Sequence, residues 1–213
     1  MEEHTGIWGR SKSGKSTCAK EILIPERRLV VVDVIDEYAS VAPVAVRSRV
    51  ELLKAIKRGW RDGYRVRWPM TRHDDPAEVL NLVASTVWDV QEPCKGQPGQ
   101  FPGVTLMVEE MADTFPNTRA QNVFKQMCLK GRHYQIRLVG VAQRLADVQP
   151  AFRNACAVNY FLTMEDETDY QEAGKRLRPC GPEWLPKLRT LQPHEYICKR
   201  DGQAFYGRNG KKK

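Results

Sequence analysis

Gly9-Arg10-Ser11-Lys12-Ser13-Gly14-Lys15-Ser16, followed by Thr17, is a complete Gly-x-x-x-x-Gly-Lys-Ser phosphate loop. Gly6-Ile7-Trp8 before it reads as a short strand. Thr17 to Ile24 after it reads as a helix, because Cys18, Ala19, Ile22 and Leu23 are apolar at helical spacing. Strand, glycine loop and helix is the context the motif requires. Backbone N–H groups of such a loop and the positive end of its helix point inward, toward phosphate oxygens. Lys15 can then bridge the β- and γ-phosphates of a nucleoside triphosphate, and the Ser16 hydroxyl can ligate Mg2+. The expected ligands are ATP and Mg2+, held by Gly9, Arg10, Ser11, Lys12, Ser13, Gly14, Lys15, Ser16 and Thr17.

Downstream, Arg28-Leu29-Val30-Val31-Val32-Asp33-Val34 is a continuous apolar run, as in a strand buried on both faces of a parallel sheet. It ends in Ile35-Asp36-Glu37-Tyr38, at the carboxyl edge where ligands bind in open α/β sheets. Val50–Lys57 is an amphipathic helix and Tyr64–Trp68 an alternating strand. Pro76–Val90 is a helix, with Pro76 at its first position and Asp74-Asp75 before it. Gln91–Gly103 is a loop rich in proline and glycine, either a connector or a segment turned toward a central partner. Val104–Val108 is a buried strand that runs into Glu109-Glu110. Asn117–Leu129 is a helix, Arg137–Ala142 a strand ending at Gln143-Arg144, Asn159–Thr163 a further strand and Asp166–Leu177 a helix. Glu195–Cys198 and Gln203–Tyr206 flank Asp201-Gly202, a hairpin signal. Strands alternating with helices predict an α/β fold: a mostly parallel central sheet, helices on both faces, and a small C-terminal β-hairpin.

The 213 residues suffice for one such domain with a full core. We expect a single domain over 1–213, with a core at about 5–178 and a C-terminal extension, 179–213, ending in the basic Lys211-Lys212-Lys213. The 34 Lys and Arg exceed the 26 Asp and Glu by 8, a surplus that favours a polyanionic partner. No two of Cys18, Cys94, Cys128, Cys156, Cys180 and Cys198 lie at Cys-x-x-Cys spacing, which argues against a zinc site. Cys18, Cys128 and Cys156 sit among apolar residues and read as small core hydrophobes. The acidic Met1-Glu2-Glu3-His4 start lacks the pattern of a signal peptide, and no run of apolar residues is long enough to span a membrane. A soluble, non-secreted protein is expected.

A phosphate loop alone hydrolyses nothing. Glu109 after a buried strand is expected on the metal side, acting through water, and Glu110 as general base on the attacking water. Gln143, at the tip of the following strand, can sense the γ-phosphate or orient that water. Arg132 and Arg144 flank the same strand. Either could supply an arginine to a neighbouring subunit's nucleotide, with Arg132 preferred. Arg58, Arg61 and Lys95 are candidate contacts to DNA phosphates.

Gly131-Arg132-His133-Tyr134-Gln135-Ile136-Arg137-Leu138-Val139-Gly140-Val141-Ala142-Gln143-Arg144 resembles the "GR-x-x-GI-x-LV-x-x-x-QR" signature of the HerA/FtsK superfamily of DNA-pumping ATPases. Asp33 with Asp36-Glu37-Tyr38 resembles its "D-x-x-x-EY", Phe152-Arg153-Asn154-Ala155-Cys156 its "I-x-x-N" segment before the last core strand, and Glu109-Glu110 its acidic hydrolysis motif. Gln135, Leu145 and Glu109 depart from the common pattern, where relatives often carry Gly, Pro and Asp. The compact size resembles the genome-packaging ATPases of membrane-containing icosahedral viruses. That resemblance implies a RecA-like core, a hexameric ring, double-stranded DNA as substrate, a capsid vertex or portal as partner, and a place in host cytoplasm or at the virion vertex. A filamentous-phage-type assembly ATPase, a nucleotide-gated switch and a small-substrate kinase stay open. The last would use Arg65, Arg67 and Arg72 as substrate contacts.

Overall fold

The computed structural model describes residues 3–97, 101–116 and 122–210. Its strands are β1 (Thr5–Trp8), β2 (Arg28–Asp33), β3 (Val44–Ala45), β4 (Tyr64–Pro69), β5 (Val104–Val108), β6 (Ile136–Ala142), β7 (Val158–Phe161), β8 (Glu195–Arg200) and β9 (Gln203–Arg208). Its helices are α1 (Lys15–Leu23), α2 (Arg49–Arg58), α3 (Pro76–Gln91), α4 (Met111–Thr114), α5 (Asn122–Lys130), α6 (Pro150–Ala155), α7 (Glu167–Leu177) and α8 (Trp184–Arg189). All nine strands form one sheet in the order β3-β4-β2-β5-β6-β1-β7-β8-β9. The strands from β3 to β7 in that order pair parallel, and β8 and β9 add antiparallel at one edge.

The central strands are apolar on both faces because both faces are covered. Val30 and Val32 of β2 join one buried cluster, with residues of α2, α3, α5 and α6. Leu29 and Val31 join the other, with Cys18, Ala19 and Leu23 of α1 and with Tyr38, Val41 and Ala42 of the chain after β2. Alternation within a single run thus feeds two cores. The covering is unequal: α1 and that connecting segment serve one face, several helices the other.

Local chemistry sets the helix ends. Asp75 Oδ1 accepts from Ala77 N at 2.8 Å and Glu78 N at 3.3 Å, and Pro76 opens α3. Ser48 caps α2 by accepting from Glu51 N at 3.2 Å. The α1 end is closed by Arg65 on β4. Its guanidinium donates to the carbonyls of Leu23 (2.9 Å), Ile24 (2.9 Å), Glu26 (2.5 Å) and Val41 (2.5 Å).

The structure bears out the expected fold class, with differences of detail. α1 starts at Lys15 rather than Thr17, because left-handed Gly14 (φ 99°) turns the loop directly into the helix. The helix expected over Asn117–Leu129 runs Asn122–Lys130, and residues 117–121 lie outside the described part. The strand expected to reach Thr163 ends at Phe161, while both hairpin strands are two residues longer than expected. The short α4, α6, α8 and β3 were not expected. The basic tail, 211–213, lies outside the described residues.

Candidate functional site

The parallel strands all point their carboxyl ends to one edge of the sheet. The phosphate loop leaves β1 there, anchored between two neighbours: Gly9 N donates to Ala142 O at 3.2 Å and Arg10 N to Thr163 O at 2.8 Å. A cleft of about 390 Å³ opens over it, lined by the loop and by Ile35, Glu37, Glu109, Glu110, Val141, Gln143 and His194. Lys15 is buried, and its Nζ donates to Arg10 O at 2.7 Å, which holds the ammonium across the loop. Burial lowers its pKa, against the attraction of Glu110, Glu109 and Glu37.

The two acidic residues that end β5 are held differently. Glu109 is 2 % exposed, and its Oε2 accepts from Ile35 N at 3.1 Å. Its pKa is pushed up to about 8, first by burial and then by the charges of Asp33, Glu37 and Glu110. Glu110 lies in the left-handed region, φ 44° and ψ 58°, at the start of α4. A non-glycine residue there stores backbone strain and turns the side chain out of the strand direction. Gln143, exposed at the tip of β6, donates through Nε2 to Glu110 Oε1 at 3.1 Å. Glu109, Glu110 and Gln143 are therefore brought together opposite the phosphate loop.

Surrounding groups hold these tips in place. Asp33, fully buried, accepts from Glu37 N at 2.9 Å and Tyr38 N at 3.1 Å, folding the chain after β2 so that Glu37 borders the cleft. Arg67 pairs with Asp33 (3.3 Å) and with Asp36. Arg144 is occupied within its own chain. Its Nε meets buried Asp169 at 2.7 Å and its Nη2 meets Asp166 at 3.2 Å, while Asp169 also accepts from Ala146 N at 2.9 Å. These contacts fix the turn after Gln143 to α7. Arg65 and Arg67, read as substrate contacts under the kinase alternative, are likewise tied down, one by backbone carbonyls and the other by carboxylates. Arg10 pairs with Glu165 at 2.9 Å on the rim.

Arg132 is not at this cleft. It lies in a 3-10 turn, Gly131–Tyr134, before β6, whereas Gln143 lies after β6. Seven strand residues separate the two by about 20 Å. Arg58 ends α2, Arg61 precedes β4, and Lys95 stacks over Tyr134 at 5.7 Å. All four are exposed, and all lie at the amino edge of the sheet. A groove of about 640 Å³ also opens at that edge, between α2 and the starts of β2 and β4, but it holds no comparable constellation.

Two cleft residues escaped the sequence reading as site residues: Glu37, which had a signal in the Asp-x-x-x-Glu-Tyr pattern, and His194, which had none. The donor set around Ser16 and Glu109 is hard oxygen with concentrated negative charge, which fits Mg2+. No group of three or more acidic, His or Cys residues able to cage a metal occurs among the described residues.

Fold and cleft together are of the P-loop kind: a phosphate loop at the carboxyl edge of a mostly parallel sheet, faced by a carboxylate–amide pair. No protein-family model matches the sequence, and no curated protein matches it. Solved structures match over nearly the whole chain. The genome packaging NTPase B204 of Sulfolobus turreted icosahedral virus 2, solved in complex with AMPPCP, superimposes with a TM-score of 0.76 at 14 % identity, covering 99 % of both chains. VirB4 of Thermoanaerobacter pseudethanolicus gives 0.70 at 11 % identity, over 98 % of this chain and 89 % of that one. The bacterial conjugative coupling protein TrwB gives 0.63 at 12 % identity, over 99 % and 85 %. The likeness to these three solved structures is one of fold. Among the described residues no helix is long and apolar enough to cross a membrane.

Proposed function

We propose that this chain is an ATP-hydrolysing translocase of double-stranded DNA, a viral genome-packaging motor working as a hexameric ring. The observation that carries the reading is the Glu110–Gln143 pair facing the phosphate loop, a carboxylate aimed by an amide from the next strand. The similarity of fold to a packaging NTPase solved with nucleotide analogues supports it.

In this reading the Gly9–Thr17 loop cradles the phosphates and Lys15 neutralises the β- and γ-oxygens. Ser16 and, through water, Glu109 would hold Mg2+, which would offset phosphate charge. Glu110 takes the proton of the attacking water, with Gln143 fixing its carboxylate. Arg132, too far from its own cleft, serves the nucleotide of the adjacent subunit. Arg58, Arg61 and Lys95 grip DNA through phosphates, which gives affinity without sequence reading. The chain acts as one domain over 1–213, at a capsid vertex that supplies its docking partner.

The deciding experiment is steady-state ATP hydrolysis with and without long double-stranded DNA, at low and high salt. Several-fold stimulation that fades with salt is expected. Strong hydrolysis indifferent to DNA would overturn the translocase reading in favour of a small-substrate enzyme or a switch.

A further inference from the structure

The sheet order fixes which end of a bound nucleotide faces which strand. The phosphate loop leaves β1, and β1 lies between β6 and β7. Glu109 and Glu110 follow β5 and Gln143 follows β6, so the groups that address water stand on the β6 side. A γ-phosphate presented to them sends the nucleoside end the other way, toward β7 and the β8–β9 hairpin. His194, the residue before β8, stands there. Its backbone is left-handed, φ 70°, and it lines the cleft with its side chain against Gly14.

The hairpin is fastened to the loop by both its ends. His194 N donates to Ser13 O at 2.8 Å, Asn209 Nδ2 to Gly14 O at 2.8 Å, and Gly210 N to Glu21 Oε1 at 2.8 Å. A methyl on Gly14 would lie 2.8 Å from His194 Nδ1, so this clamp as well as the loop's own turn demands glycine. The clamp also decides a tautomer. The Gly14 carbonyl only accepts, so it takes the Nδ2 side of the buried Asn209 amide. Asn209 Oδ1 then faces His194 Nδ1 at 3.1 Å, and an acceptor there requires the proton on Nδ1. The neutral ring is left with Nε2 as an acceptor. Ionised phosphates offer it no proton; a ribose hydroxyl does.

We propose that His194 is the nucleoside-end contact of this site, with Nε2 accepting a hydrogen bond from a ribose hydroxyl and Asn209 setting the tautomer. This rests on the cleft being a nucleoside-polyphosphate site. The hairpin beyond the core strands is thereby part of the binding site and reports on its occupancy.

Calorimetric titration of the full chain with ADP, 2′,3′-dideoxy-ADP and inorganic pyrophosphate tests it. The wild type should bind ADP about tenfold more tightly than the dideoxy analogue, the worth of one hydrogen bond. His194→Asn keeps a residue that tolerates the left-handed backbone and an amide that can reach Asn209, but removes Nε2. It should bind ADP about tenfold more weakly and leave dideoxy-ADP and pyrophosphate unchanged, so that the preference disappears. His194→Ala should abolish the preference in the same way. A preference retained in both variants, or pyrophosphate binding weakened as much as ADP binding, would overturn the assignment. Wild type that binds pyrophosphate without preferring ADP to its dideoxy form overturns it too, while leaving the phosphate loop's role intact. Wild type that binds none of the three refutes the nucleotide reading and this inference with it.

Discussion

The two edges of this sheet are chemical opposites. At the carboxyl edge Glu37, Glu109 and Glu110 crowd one cleft, Glu109 is driven toward its neutral form, and Lys12, Glu110 and His194 all take left-handed backbone. At the amino edge Arg58, Arg61, Lys95 and Arg132 stand exposed, and His4 is buried with its pKa pushed down to about 4, first by burial and next by Arg132. One edge concentrates carboxylates whose mutual repulsion a phosphate-bound cation would relieve. The other spreads positive charge where a polyanion or a neighbouring subunit could meet it. A parallel sheet makes this separation possible, because every strand carries residues from one edge to the other in the same sense.

The largest expected effects come from breaking each edge once. Glu110→Gln should lower turnover by about 10^3-fold while nucleotide binding, read by calorimetry, persists. Arg132→Ala should lower it by on the order of 10^3-fold as well, yet only where subunits assemble. Mixing distinguishes the two. Arg132→Ala subunits combined with Lys15→Ala subunits should regain activity, because each can supply what the other lacks. Glu110→Gln mixed with Lys15→Ala should not, since both defects lie in the same cleft.

A stability test separates scaffold from site. Arg65→Lys keeps the charge but cannot reach all four carbonyls that tie the end of α1 to the segments after α1 and β2, and should cost about 2 kcal/mol in urea unfolding. Titration should then sharpen the contrast between the edges. Glu109 has a native pKa raised above its unfolded value, so between about pH 4.5 and 8 the unfolded chain binds fewer protons and stability falls as pH rises. Glu109→Gln should flatten that fall by about 1 kcal/mol per pH unit, measured without nucleotide or Mg2+. His4 has a depressed native pKa, so its contribution is lost in the other direction, as pH drops from 6.5 toward 4. The smallest effect is at the amino edge: Arg61→Ala should reduce the slope of log affinity for DNA against log salt by about 1.

Much of this was legible because it was local. Val104–Val108 could be read without error from its own apolar run, and the loop from eight consecutive residues. Glu109, Glu110 and Gln143 followed from a rule about where strands end. What escaped was set by partners distant in sequence or by elements too short to show a period. The four-residue α4 and two-residue β3 complete no repeat. Arg65 looked like the polar half of an alternating strand, and its role as a helix cap depends on where α1 happens to end. His194 reaches the cleft only because an antiparallel hairpin returns to the loop 180 residues later, and nothing around Pro193 announces it.

β6 links the two edges mechanically. Its seven residues carry the Arg132 turn at one end and Gln143 at the other, and they are hydrogen-bonded in register to β5 on one side and β1 on the other. Sliding it by one residue would break both ladders and reverse the faces of every side chain it carries. The strand is therefore stiff along its length, a pushrod between the cleft and the opposite edge of the sheet. Displacement at one end has to appear at the other.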